Sequence, residues 1–262
     1  MFKFFDAHSH IHEKEFSADR ADVLARMRAA ETGTITVGTH LESSRAAVEL
    51  AREEEGVWAT VGLHPTDTKE IFDEKLYAAL AAEPKVVAIG ECGLDYFRGG
   101  TDEGDKKRQE KEFSAQIEFA MKLGKPLMIH GRPSKGSMDA YRDILDILGH
   151  YKNESGIFGD IHFFSGDKET ARKFLDLGFT LSFTGVVTFT SDYDEVVRYT
   201  PLDSILSETD CPYAAPLPYR GKRNEPSFIS IISDRIAAIK GEDKNRVSKA
   251  LVDNAYRVFG LN

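Results

Sequence analysis

The sequence has only two cysteines in 262 residues, Cys92 and Cys211. That is too few for a disulfide framework, and both read as small buried hydrophobes. No apolar run approaches the roughly 18 residues that a membrane span needs. The first residues, Met1-Phe-Lys-Phe-Phe-Asp6, lack the apolar core of a secretory signal, so a cytoplasmic location is expected. Excess positive charge is missing as well. With 34 Lys and Arg against 43 Asp and Glu the net charge is −9, which argues against tight, non-specific coating of nucleic acid. An enzyme that handles one phosphodiester locally is still allowed, because bound cations supply positive charge where it is needed. Internal repeats and low-complexity tracts are also absent. What is there, 41% hydrophobic and 29% charged residues, is the composition of an ordinary globular protein with a sizeable core. It is read here as one domain over 1–262.

Short apolar runs bounded by turn residues alternate along the chain with stretches of helical spacing. Strands are expected at 3–8, 33–37, 57–62, 85–90, 126–129, 156–161, 179–183 and 204–207. Among the helices between them, one is capped by Ser17 and runs to Ala30. Another turns Phe72, Leu76, Ala79 and Leu80 inward, and a long one is closed by Gly124 with Pro126 beyond it. Pro226 opens a further helix, and a last one spans 243–259. Eight strand–helix units in about 250 residues make an α/β fold, a (β/α)8 TIM barrel with an additional C-terminal helix. A doubly wound open sheet is the competing architecture. The barrel is preferred because polar residues collect after strands one, three, four, five, six and eight, which calls for a ring of strand ends facing one point. The most polar stretch, 98–111, reads as a solvated loop entering a helix and as a candidate flap.

The stretch KVVAIGECGLD (85–95) organises the chemistry. Its buried run ends in Glu91, a carboxylate that in an apolar site must be paired or metal-bound. Asp6, His8 and His10 (DAHSH) lie two apart, so both imidazoles share one face of a strand and reach one ion. His12 continues that parity further into the loop and reads as solvated or as supporting the ligands. His130 ends PLMIH, His162 ends DIH, and Asp210 ends SETD with Glu208 on its parity. His64, in VGLHP, reads either as a loop histidine held before Pro65 or as a substrate contact. Five of the eight histidines thus fall at or just after strand C-termini, the catalytic face of a barrel. The expected ligands are His8, His10 and Asp210 on one ion, His130 and His162 on another, with Glu91 shared. Mixed imidazole and carboxylate ligation suits Zn²⁺ or Mn²⁺, while Mg²⁺ usually prefers oxygen, so the choice among Mg²⁺, Mn²⁺ and Zn²⁺ stays open. Two such ions activate water and stabilise the leaving oxygen of an in-line displacement. Asp210 would orient or deprotonate that water, making Glu91 and Asp210 the catalytic pair. Arg132 and Lys135, with Arg220, Lys222 and Arg223 in the last long loop, are placed for phosphate or are simply solvated.

DAHSH, VGLHP, AIGECGLDY, KPLMIHGR, DIH and ETDCPY, in that order, resemble the TatD family of metal-dependent deoxyribonucleases within the amidohydrolase superfamily. The likeness runs from Phe4 to about Phe259. It implies a divalent-metal barrel enzyme that hydrolyses DNA, bound locally as single strands or ends, often from the 3′ end. A D-aminoacyl-tRNA deacylase or a small-molecule amidohydrolase on the same metals is the alternative, and a monomer is compatible with everything above. Three departures bear on substrate rather than on ligands. Phe163 stands where a Cys is common, His12 where an Asp is common, and Gly131-Arg132-Pro133-Ser134 keeps only the Arg of the usual run.

Overall fold

The computed structural model describes residues 2–99, 102–151 and 156–261. Its strands are β1 (Phe4–Ser9), β2 (Thr32–Val37), β3 (Val57–Val61), β4 (Val86–Asp95), β5 (Leu127–Arg132), β6 (Gly159–His162), β7 (Thr180–Phe183) and β8 (Ile205–Ser207). They form one sheet in sequence order, and every neighbouring pair is parallel. The ring is drawn together where β1 meets the chain after β8. There Ser9 bridges Cys211, His10 N donates to Cys211 O, and Asp210 N donates to His8 O. Asp6 reinforces the seam by accepting from both the amide and the hydroxyl of Thr209.

The helices are α1 (Arg20–Ala29), α2 (Leu41–Glu53), α3 (Glu74–Ala81), α4 (Glu103–Leu123), α5 (Asp139–Tyr151), α6 (Lys168–Asp176), α7 (Asp194–Tyr199), α8 (Ile229–Lys240) and α9 (Lys244–Phe259). Period-2 alternation sorts the strand residues into two apolar clusters. Val57, Val86, Leu127 and Ile205 belong to the larger one, which the helices cover. Trp58, Val87, Met128 and Leu206, one residue on, belong to a smaller cluster with Phe5 and Ile35. Residues of α9 complete that second cluster, and Asn254 ties α9 to the start of β8 by donating to Leu202 O and Ile205 O. Among the described residues no helix is long and apolar enough to cross a membrane.

The structure corrects several local expectations. β4 does not stop at Gly90 but continues to Asp95 through an irregularity between Ile89 and Cys92, so Glu91 lies mid-strand. Asp19, not Ser17, precedes α1, because a 3-10 turn over Lys14–Phe16 consumes the earlier residues. In α3 the buried positions are Tyr77 and Ala81, and Leu76 is 51% exposed. That helix begins only at Glu74, where Asp73 accepts from Lys75 N, so Phe72 does not set its phase. Most of 98–111 is helical, since α4 starts at Glu103 with Asp102 as its cap. Gly100 and Thr101 of the candidate flap lie outside the described residues.

Candidate metal centre

Glu91 sits where the ends of β1, β3, β5 and β6 and the turn after β8 converge, and its two oxygens face different partners. Oε2 lies 3.5 Å from His8 Nε2 and 3.8 Å from His10 Nε2. Asp210 Oδ1 completes this group at 3.8 and 3.5 Å from the same two nitrogens. The His8 and His10 Nε2 atoms are themselves only 3.2 Å apart. Two imidazole nitrogens that close repel unless a proton or a cation lies between them. Four donors on one ion with bonds of about 2.0–2.1 Å would stand roughly 3.4 Å apart, so the spacing fits. Oε1 faces the other way: His130 Nδ1 at 2.8 Å, His162 Nε2 at 3.2 Å and His64 Nε2 at 3.3 Å. Two groups able to hold an ion therefore share one carboxylate.

The remote nitrogen of each ring decides which atom it can offer. His10 Nδ1 lies 2.9 Å from Val37 O, His162 Nδ1 3.0 Å from Glu208 Oε1, and His130 Nε2 3.1 Å from Asp95 Oδ2. Each oxygen accepts a ring proton, so the opposite nitrogen presents its lone pair to the centre, as in oriented metal ligands. His8 Nδ1 is buried and has no hydrogen-bond partner. His64 is reversed. Its Nδ1 accepts from Thr66 N, which leaves the proton on Nε2 and makes that atom a donor toward the site. A third clustering of His8, His162 and Glu208 is not another ion site. Glu208 Oε1 already accepts from Phe163 N and His162, and its Oε2 takes the Ser182 hydroxyl.

The electrostatics of the protein groups agree with this geometry. Burial opposes charge on Glu91, but His64, His162 and His130 outweigh it and hold its carboxyl well below the usual range. Burial works against protonated His10, His130 and His162 too, yet nearby carboxylates raise all three, and Glu208 and Glu91 raise His162 furthest. His8 and His64 are lowered, chiefly by burial. The side chains thus form a dense set of alternating charges that suits a cation and would release protons on taking one.

The centre opens into a cleft of about 880 Å³ lined by Glu91, His10, His64, His130, His162 and Asp210. Of the cations read from the sequence as phosphate contacts, Arg132 lines this cleft, its guanidinium 4.3 Å from the Phe97 ring. The others do not line it. Arg223 donates to Asp19 Oδ1 at 2.8 Å and to Glu15 O, Arg220 stacks on Phe189, and Lys135 is exposed. Lys69 and Arg98, not singled out in the sequence, line the cleft instead. The roles of Asp95 and Glu208 were also missed as such, although their strand-end parity was a signal. His12 proves buried rather than solvated, held by Thr36 and Ser43.

Comparison with protein families matches residues 5–260 to the family described as TatD related DNase. The chain belongs to the TatD family. It is 36% identical over 263 residues to YabD of Bacillus subtilis, a metal-dependent hydrolase, covering 98% of this chain and 99% of that one. It is 33% identical over 265 residues to the 3′-5′ ssDNA/RNA exonuclease TatD of Salmonella typhimurium, covering 97% and 98%. The crystal structure of YJJV, a TatD homologue from Escherichia coli K12, superposes with a TM-score of 0.88 at 26% identity, covering 99% of each chain. The clustered ligands and the TatD fold together make this protein a metal-dependent hydrolase.

Proposed function

We propose that this TatD-family hydrolase cleaves phosphodiester bonds of DNA at single-stranded ends, from the 3′ end, with two divalent ions. The whole chain acts as one catalytic domain. The observation that carries the reading is Glu91, which turns one oxygen toward His8, His10 and Asp210 and the other toward His130 and His162. Those residues would hold the ions, Mg²⁺, Mn²⁺ or Zn²⁺. When bound, such a pair polarises the phosphoryl group, activates water and stabilises the leaving oxygen. The protein's own groups do the rest. Asp210, buried beside His10 with its carboxyl lowered below the usual range despite burial, is an ionised base that orients and deprotonates water. His64 offers its Nε2–H to a phosphate oxygen. Arg132, Arg98 and Lys69 neutralise the chain's phosphates at the mouth. The exonuclease name of the Salmonella relative supports this substrate, as do the cations among the residues that line the cleft.

The test is turnover of single-stranded DNA, duplex DNA, RNA and mischarged tRNA side by side, in chelator and after adding back Mg²⁺, Mn²⁺ or Zn²⁺. Metal-dependent shortening of single-stranded DNA is expected. Activity confined to the aminoacyl ester, or indifferent to chelator, would refute the reading.

A further inference from the structure

The wall of the cleft is chemically divided by position around the barrel. Its cations come from the third to fifth strand ends: Lys69 after β3, Arg98 after β4 and Arg132 on β5. Its apolar and aromatic lining comes from the next arc: Phe163 after β6, Val186 and Tyr193 after β7, and Tyr213 after β8. A nucleotide is divided in the same way, into an anionic phosphate and a flat apolar base.

Two of those rings directly adjoin metal-site imidazoles. Phe163 lies 6.0 Å from the His162 ring, nearly perpendicular to it, and Tyr213 lies 6.5 Å from His10. The backbone of each is anchored. Phe163 takes a left-handed backbone, φ 48°, which is unfavourable for a bulky residue, and its amide is fixed on Glu208 Oε1 at 2.8 Å. Tyr213 is 60% exposed, yet its N donates to Asp210 O and its O accepts from the buried Asn224 side chain. Rings that line the cleft from an anchored backbone offer faces for base stacking, and stacking tolerates any base.

We propose that Phe163 and Tyr213 form a nucleobase subsite beside the metal centre, so that the hydrolase accepts a terminal nucleotide only when its base is unpaired. This rests on the phosphodiesterase reading and gives its restriction to single-stranded ends a structural basis. A base that enters this arc leaves its own strand's stack and cannot remain paired.

The experiment compares steady-state cleavage of a short single-stranded oligonucleotide with that of the same strand carrying abasic residues at both ends. Wild-type enzyme should favour the normal strand in kcat/KM by about tenfold or more, the loss expected for one base–aromatic stack. Phe163→Ala and Tyr213→Ala should each shrink that preference several-fold through KM, and Tyr213→Phe should keep it. Equal kcat/KM for the two strands in wild type, or Ala variants that weaken both strands alike, would overturn the subsite while leaving the nuclease reading intact. Failure of that reading has a different signature, no cleavage of either strand with any divalent ion, and it would remove the subsite too.

Discussion

Asp160→Asn is expected to stabilise the protein at neutral and alkaline pH. Asp160 is fully buried on β6, two residues before His162, and accepts the Thr180 hydroxyl at 2.7 Å. The Ser182 oxygen lies 2.7 Å from Asp160 Oδ2 and 2.7 Å from Glu208 Oε2. One hydroxyl has one proton, so it donates to one acid and must accept from the other. Glu208 also takes Phe163 N and His162 Nδ1, which makes it the acceptor and Asp160 the protonated partner. Burial and the Glu208 charge agree, pushing the Asp160 carboxyl from 3.8 up to about 7. The folded chain therefore keeps this proton to a higher pH than the unfolded chain does. Between those two values the unfolded state binds fewer protons, so stability falls as pH rises and stays lower above about 7. The gap from 3.8 to about 7 is worth about 4 kcal/mol in all. An amide keeps the hydrogen bond to Ser182 without the titration. Urea unfolding of chelator-treated protein across this pH range should show the variant gaining on wild type by an amount that grows with pH and levels off near 4 kcal/mol. A difference that does not change with pH would refute the reasoning.

Arg132→Ala, which removes a cation from the cleft wall, should raise KM for oligonucleotides about tenfold and affect a small phosphodiester less; equal effects would argue against a phosphate contact. Arg223→Ala should leave turnover within about twofold, since that side chain is tied to Asp19 on the surface, and a large KM increase would place it on the substrate after all. Divalent-ion affinity measured by calorimetry should rise with pH. Raised His10, His130 and His162 hold protons that ligation must displace, at about tenfold per pH unit for each proton. A pH-independent affinity would contradict that charge pattern.

Most of the barrel was legible because parallel strands buried on both faces are short apolar runs, and Gly and Pro punctuate them. What misled was local competition. Leu76, Tyr77, Leu80 and Ala81 offer two apolar stripes on one short helix, and nothing in the sequence says which faces inward. β4 runs past Gly90 because β5 pairs with it from Cys92 to Asp95, and that is a non-local fact. The residues brought together at the centre were legible because His8, Glu91, His130 and His162 each stand at or near the end of an apolar run, although Glu91 and His130 prove to lie within longer strands. Their supports were not. Asp95, on the strand beside His130, and Glu208, after β8, act on histidines 35 and 46 residues away in sequence. Loop cations were hardest, because a charge in a loop carries no periodicity: Arg98 reaches the cleft while Arg223 turns to Asp19.

Counting divalent ions bound by wild type and by Glu91→Ala, with oligonucleotide turnover measured on the same samples, tests the shared carboxylate most directly. Two ions per chain in wild type, and at most one with turnover abolished in the variant, are expected. Two ions and unimpaired cleavage in Glu91→Ala would contradict the account.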